Sequence, residues 1–193
     1  HAGRLPKYRG GSPLNWQIIN DEKKIAASVI KINEDIDGGY LVASKNMKIK
    51  SNENIESVHK KVNKIFPKLL LISIDKILKK RKLIKLNIKK SIYWHQRDDG
   101  DGKIQFQFMS SRKIYNLIRA CSYPYKGAWA KIDNNYKIRF FKSALIKEKI
   151  LGSVGKLIFL KKKGMCLVCK DGALKILQYK TNYKKKLNGV IVS

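Results

Sequence analysis

A histidine and an aspartate stand 36 positions apart in this chain and could share acid–base chemistry: His1, and Asp37 in the run Ile36-Asp37-Gly38-Gly39. A neutral imidazole accepts a proton near pH 7. A carboxylate on its other ring nitrogen orients it and stabilises its charged form. Spacing alone would pair any histidine with any aspartate, so the pairing needs support from the residues around it. Two other clusters invite chemistry. Cys166 and Cys169 form a single Cys-x-x-Cys pair. A structural zinc site takes four ligands and there is no second pair. A redox motif wants a helix N-terminus after a strand. This pair lies inside an apolar run, so the expectation is two small core residues. Asp98, Asp99 and Asp101 have the spacing of part of a calcium loop. The closing Glu of such a loop is missing, and Gln105 and Gln107 are poor substitutes, so a polar loop is expected.

The elements that would position these residues can be read from periodicity and punctuation. Ser12-Pro13 predicts a helix start, with Ser12 as N-cap and Pro13 in the first turn, over residues 14–20. Residues 26–32 have strand composition, residues 33–39 form a polar loop ending in two glycines, and residues 40–43 form a second strand. Ile55, Val58, Val62, Ile65 and Leu69 step by three or four, as one apolar helical face does, and Pro67 should kink or split that helix. Apolar runs at 104–108, 136–141, 156–160, 165–168 and 174–178, separated by Asp, Asn and Gly, predict a small antiparallel barrel or sandwich. One helix over 112–120 carries Ile114, Leu117 and Ile118 on its stripe, residues 123–128 form a turn, and the stretch from Thr181 is basic and weakly patterned.

The chain has 193 residues, 43 Lys+Arg against 14 Asp+Glu, and a formal net charge of +29. At 44% hydrophobic it has enough apolar residues to build a core, and no run is apolar enough to span a bilayer. Three scattered cysteines and no signal peptide point to a reducing cytoplasm. The charge invites a polyanion partner. However, 36 of the 43 basic residues are Lys, and Ile occurs 25 times, which is also the mark of an AT-rich coding sequence. Arg, the better bidentate reader of phosphate and base edges, is scarce. Residues 79–92 hold seven basic residues and no acidic one, and residues 93–193 carry a net +16. The basic block is read as a connector, with domains at 1–88 and 89–180 and a basic tail at 181–193.

The ordered motifs resemble the folate-dependent formyltransferase family, which includes methionyl-tRNA formyltransferase and the sugar N-formyltransferases. The family run Asn-x-His-x-Ser-Leu-Leu-Pro-x-Tyr-Arg-Gly is matched by His1-Ala2-Gly3-Arg4-Leu5-Pro6-Lys7-Tyr8-Arg9-Gly10. The later Leu-Asp-x-Gly is matched by Ile36-Asp37-Gly38-Gly39. In the second half, Asp101-Gly-Lys-Ile-Gln-Phe, Ile114-Tyr-Asn-Leu-Ile-Arg119-Ala, Tyr123-Pro-Tyr-Lys-Gly127-Ala128, Gly152-Ser-Val-Gly155 and Asp171-Gly-Ala-Leu-Lys-Ile-Leu look like the family's C-terminal barrel.

The resemblance implies an α/β fold: the C-terminal half of a Rossmann-like formyltransferase domain, then a small OB-like β-barrel domain. It implies transfer of a formyl group from N10-formyltetrahydrofolate to a primary amine. His1 and Asp37 fall on two positions of the family's Asn-His-Asp triad. The Asn would lie two residues before His1, outside this chain. By analogy the folate sits against the backbone of Gly3, Arg4, Leu5 and Pro6 and of the loop Asn33, Glu34, Asp35, Ile36 and Asp37. Gly3-Arg4 replaces the usual Ser-Leu. The chain is read as a fragment lacking the first half of the sheet, on the order of 100 residues. Alone it is expected to be inactive and poorly soluble, with strand edges and apolar faces uncovered.

By their resemblance to the sugar N-formyltransferase branch, residues Pro13-Leu-Asn-Trp16, Asn63-Lys-Ile-Phe-Pro-Lys-Leu-Leu and Gln96-Arg-x-x-x-Asp101-Gly-x-Ile-x-Phe favour a nucleotide-linked amino sugar as acceptor. The tRNA enzymes more often carry Glu-Thr-Gly where this chain has Lys23-Lys24-Ile25. Initiator methionyl-tRNA is the alternative acceptor, and homodimerisation is left open. Two readings without catalysis also stand: a basic barrel binding nucleic acid, with Tyr93, Trp94, Phe106 and Phe108 as stacking candidates, or an inactive remnant. For Phe106 and Phe108, a shared core face is the expectation.

Overall fold

Pro13 has a fixed φ that suits a first helical turn, and the first helix, α1, runs Pro13–Ile19. It follows a two-residue strand, β1 (Arg9–Gly10). The computed structural model describes every residue from His1 to Ser193, and the chain divides into two compact units, His1–Arg97 and Asp98–Ser193.

The first unit continues with β2 (Lys24–Lys31), β3 (Tyr40–Lys48), α2 (Ile55–Asn63), α3 (Phe66–Leu78), β4 (Ile84–Lys85) and β5 (Tyr93–Trp94). Strands β2, β3 and β4 form an antiparallel sheet in that order, and β1 pairs with β5 in parallel. A bulge between Val29 and Ile30 interrupts the β2–β3 register. Pro67 splits the expected long helix in two and sits in the first turn of the second, where its missing N–H costs nothing. Asn54 caps α2, its side chain accepting from Ser57 N–H. Helix α3 buries Leu69 and Ser73 but leaves Leu71 69% and Leu78 76% exposed.

Ser12 precedes α1 as expected but does not cap it. Its φ is 48°, and its hydroxyl accepts from Gln96 Nε2 and Arg97 N instead.

The second unit holds α4 (Ser111–Cys121), β6 (Ala128–Lys131), β7 (Lys137–Leu145), β8 (Leu157–Leu160), β9 (Gly164–Cys169) and β10 (Gly172–Thr181). Ile114, Leu117 and Ile118 of α4 are buried, as their stripe predicts. The strands form one antiparallel sheet in the order β6-β7-β10-β9-β8. The sheet does not close by pairing β8 with β6. Residues after Leu187 instead bond to both edges: Ile191 bridges to Lys156, and Ser193 exchanges backbone bonds with Lys131.

Two expectations fail here. Residues 104–108 form no strand. The Lys103–Trp129 bridge just precedes them, Ile104 N–H donates to Trp129 O, and the chain then turns, with Phe108 N–H donating to Gln105 O. That turn puts Phe106 inside and leaves Phe108 70% exposed, so the two rings do not share a core face. Residues 123–128 turn as expected, but Ala128 already begins β6. No helix is long and apolar enough to cross a membrane.

Candidate active site

The N-terminal segment is laid along β2 by a polar residue in an apolar strand. His1 N donates to Ser28 O and Ser28 N donates to His1 O, each at 2.8 Å, and the Ser28 hydroxyl donates to Gly3 O at 3.2 Å. From the other side, α1 contributes the fully buried Gln17. Its Nε2 donates to Ala2 O and Pro13 O, and its Oε1 accepts from Arg4 N at 3.3 Å. A buried amide is tolerated because its bonds are made. The segment then folds back on itself, with Leu5 N–H on Gly3 O and Lys7 N–H on Arg4 O.

Side chains brace the same segment. Arg4 is ion-paired to Glu22 at 2.5 Å, and the Tyr8 hydroxyl donates to Glu22 Oε1 at 2.9 Å. Burial, with the Glu22 carboxylate adding to it, pushes the Tyr8 phenol up to about 12. The Tyr8 ring stacks on Trp94, centroids 5.6 Å apart and 9° from parallel, and the Trp94 indole N–H donates to Lys7 O.

The structure brings His1 and Asp37 together. His1 Nδ1 lies 3.3 Å from Asp37 Oδ2, and its side chain is 8% exposed. His1 Nε2 lies 2.5 Å from the Tyr8 carbonyl oxygen. Asp37 is at φ 50°, a left-handed conformation that Asp tolerates better than most residues. Its Oδ2 also accepts from Gly10 N–H at 2.9 Å. Gly10 is at φ 90°, and a Cβ there would meet Trp94 O and the Tyr93 ring. Arg9, buried at 8% exposure, reaches from β1 to the 33–37 loop: its Nε donates to Ile36 O at 2.7 Å and its NH1 to Ser91 Oγ at 2.9 Å. Arg9 and Gly10 therefore carry the bonds that join the two segments.

The other expected folate-lining residues are placed as follows. Gly3 is buried, and Arg4, Leu5 and Pro6 are half-buried. Asn33, Glu34, Asp35 and Ile36 are exposed on the loop, where Asn33 Oδ1 accepts from Asp35 N.

Sequence reasoning did not single out Arg9, Gly10, Gln17 or Ser28 for this role. Gln17 and Ser28 carried a signal, since each is a polar residue inside an apolar run and must find partners when buried. Elsewhere, Cys166 and Cys169 are buried free thiols on β9, and burial pushes Cys169 up to about 12. Asp98 and Asp101 accept from each other's backbone N–H. Asp99 forms a two-pronged pair with Arg139, at 2.8 and 2.7 Å.

Chemically, the arrangement offers an imidazole held by a carboxylate that is itself fixed by a backbone amide, on a loop whose remaining residues face solvent. Such a pair can move a proton.

Comparison with known proteins bears on that chemistry. A family model described as "Formyl transferase" matches residues 1–74, and one described as "Formyl transferase, C-terminal domain" matches residues 97–191. The methionyl-tRNA formyltransferase of Thermodesulfovibrio yellowstonii is 30% identical over 186 residues, which is 96% of this chain and 58% of that protein. The bifunctional polymyxin resistance protein ArnA of Wigglesworthia glossinidia brevipalpis is 33% identical over 187 residues, 92% of this chain and 26% of that one. Among solved structures, the sugar 3N-formyl transferase WlaRD, determined with dTDP and 5-N-formyl-THF, aligns with a TM-score of 0.71 at 23% identity, covering 96% of this chain and 65% of that one. HypX from Aquifex aeolicus in complex with tetrahydrofolic acid aligns with a TM-score of 0.70 at 16% identity, over 95% and 32%. These two likenesses concern the fold. The chain spans less than two thirds of the length of the curated relatives described.

Proposed function

Because the chain belongs to the formyl transferase family, we propose that it carries the proton-accepting half of a site that moves a formyl group from N10-formyltetrahydrofolate to a primary amine. The observation behind this reading is the 3.3 Å contact between His1 Nδ1 and Asp37 Oδ2 within the matched motifs. A primary amine attacking a formyl carbon must shed a proton. His1 takes it as general base, and Asp37 orients the ring and stabilises its charge. The Asp37 carboxylate stays aimed because Gly10 N–H holds the same oxygen.

Formyltetrahydrofolate is a substrate that supplies the activated one-carbon unit. The residues present suit it. Gly3, Arg4, Leu5 and Pro6 would line one side with backbone, and Asn33, Glu34, Asp35, Ile36 and Asp37 the other. Arg9 ties the loop in place through Ile36 O, and the exposed Ile36 side chain offers apolar surface to a planar ligand. Residues 1–88 would form this catalytic part. Residues 89–180 would form an OB-like accessory domain, its open edges bridged by the chain after Leu187.

The acceptor we propose is a nucleotide-linked amino sugar, on the strength of the three sequence stretches beginning at Pro13, Asn63 and Gln96. One observation favours methionyl-tRNA as a second reading: relatives about 30% identical carry that activity in their names. The test uses the complete natural chain with N10-formyltetrahydrofolate, offering a panel of nucleotide-linked amino sugars in one set of reactions and charged initiator tRNA in another. Formylation of a sugar amine that His1→Asn abolishes is the expected result. Formylation of the tRNA alone selects the second reading, and no transfer to either amine overturns the proposal.

A further inference from the structure

Both ring nitrogens of His1 face acceptors. Nδ1 faces the Asp37 carboxylate at 3.3 Å, and Nε2 faces the Tyr8 carbonyl oxygen at 2.5 Å. A nitrogen lone pair and a carbonyl lone pair this close would repel, so the Nε2 contact calls for a proton between them. A general base needs the opposite: a lone pair aimed at the incoming amine. In this pose the ring presents none, and its side chain is 8% exposed.

Two features make the pose. Gly3 has no side chain, and a Cβ there would press on Nε2 and Cδ2 of His1 and on the Tyr8 carbonyl oxygen. Where Ser is the usual family residue, this chain leaves the space open. The Tyr8 carbonyl is also held rigidly. Its ring is stacked on Trp94, its hydroxyl is bonded to Glu22, and the next amide, Arg9 N–H, donates to Ile92 O at 3.1 Å. The His1 backbone is fixed by its two bonds to Ser28. The ring can therefore leave the carbonyl only by turning about its own side-chain bonds.

We infer that Gly3 and the Tyr8 carbonyl form a resting berth for the His1 imidazole, from which the ring must turn before it can accept the proton of an amine. In the berth Nε2–H donates to Tyr8 O and Nδ1–H faces Asp37. On release one ring proton passes to water, and the freed lone pair becomes the base. Gly3 and Tyr8 act through His1 and are positioning residues. The inference rests on reading His1 as the base, but its first test does not require turnover.

The complete natural chain, labelled with 15N-histidine and 13C-carbonyl tyrosine, is examined by NMR, with His1→Gln and His95→Gln each removing one set of ring signals and so assigning it. The expected result is a His1 Nε2–H coupled across a hydrogen bond to the Tyr8 carbonyl and exchanging with water at least about tenfold more slowly than the ring N–H of exposed His95. Absence of the coupling, or exchange as fast as at His95, overturns the inference whether or not Gly3→Ala folds. In folded Gly3→Ala the coupling should vanish. kcat should then rise about two- to tenfold, because the ring no longer has to leave the berth. A fall in kcat with the ring released would make the Tyr8 contact part of the working geometry and overturn the resting role. If the unaltered protein transfers no formyl group while the coupling is present, the functional proposal fails and the berth remains.

Discussion

Asp37 has one oxygen shared between His1 Nδ1 and Gly10 N–H, so its charge and its aim are separable. Asp37→Asn keeps the size of the side chain but removes the charge that favours a protonated ring. In the complete enzyme, kcat is expected to fall by about 10²–10⁴-fold, the range of a lost acid–base contribution, while the folate KM changes little. Steady-state formyl transfer reads both, and an unchanged kcat would remove Asp37 from the mechanism. Gly10 is the backbone counterpart. At φ 90°, with Trp94 O where a Cβ would stand, Gly10→Ala should cost about 1–3 kcal/mol of stability. Urea unfolding of the chain measures this, and a loss below about 0.5 kcal/mol would mean the turn adapts. At this scale the nearness of His1 and Asp37 was legible, because the motif kept their residue types in order. The roles of Arg9, Gln17 and Ser28 were not. They act through backbone carbonyls and amides of distant segments, and nothing in a side chain's identity names such a partner.

The elements were most readable where periodicity and punctuation agreed. Pro67 divides the 55–78 stretch because it suits a first turn and breaks an interior. Ser12 shows the limit of such signals: its residue type suits a cap, but a left-handed φ turns its hydroxyl to Gln96 and Arg97. The stretch 104–108 has the alternation of a strand and finds no partner along most of its length. Pairing is a property of two segments and is invisible in one. In the second unit, Arg139 on β7 grips Asp99, and this two-pronged bond, helped by Lys126 and Lys137, holds the Asp99 carboxyl below the usual carboxylate range. A depressed folded value means stability that is present above the unfolded value of about 3.9 and is lost as pH falls through the folded one. Arg139→Gln should therefore lower the melting temperature at pH 7 and narrow its gap from the unsubstituted chain at about pH 3. An equal deficit at both values would show that the pair's charge contributes nothing.

At the scale of the whole chain, a net charge of +29 coexists with a large apolar face on α3. Leu71 and Leu78 are its most exposed members, and a contiguous patch of this kind associates with whatever apolar surface it meets. The 193-residue chain is expected to self-associate through α3 despite its charge. Sedimentation velocity should find a concentration-dependent mass that Leu71→Glu with Leu78→Glu reduces to that of a monomer. A monomer before substitution would mean that repulsion among the lysines already suffices.

Ser28 makes β2 a ruler for the active loop. Side chains on a strand alternate faces with a period of two, so a slip of a single residue between β2 and β3 would carry the hydroxyl that holds Gly3 to the opposite side and draw His1 along with it. Just beyond that anchor the bulge places its extra residue on β3, where Val42 has no partner opposite the Val29–Ile30 step. Length changes between Lys24 and Ser28 would be transmitted in full to the imidazole through that anchor, whereas changes in the 32–39 turn would reach the candidate site from the other side, by displacing Asp37 and the Ile36 carbonyl that Arg9 holds. Both ends of the hairpin therefore bear on the candidate site, and only positions away from the Ser28 anchor and the Asp37 turn should accept an insertion.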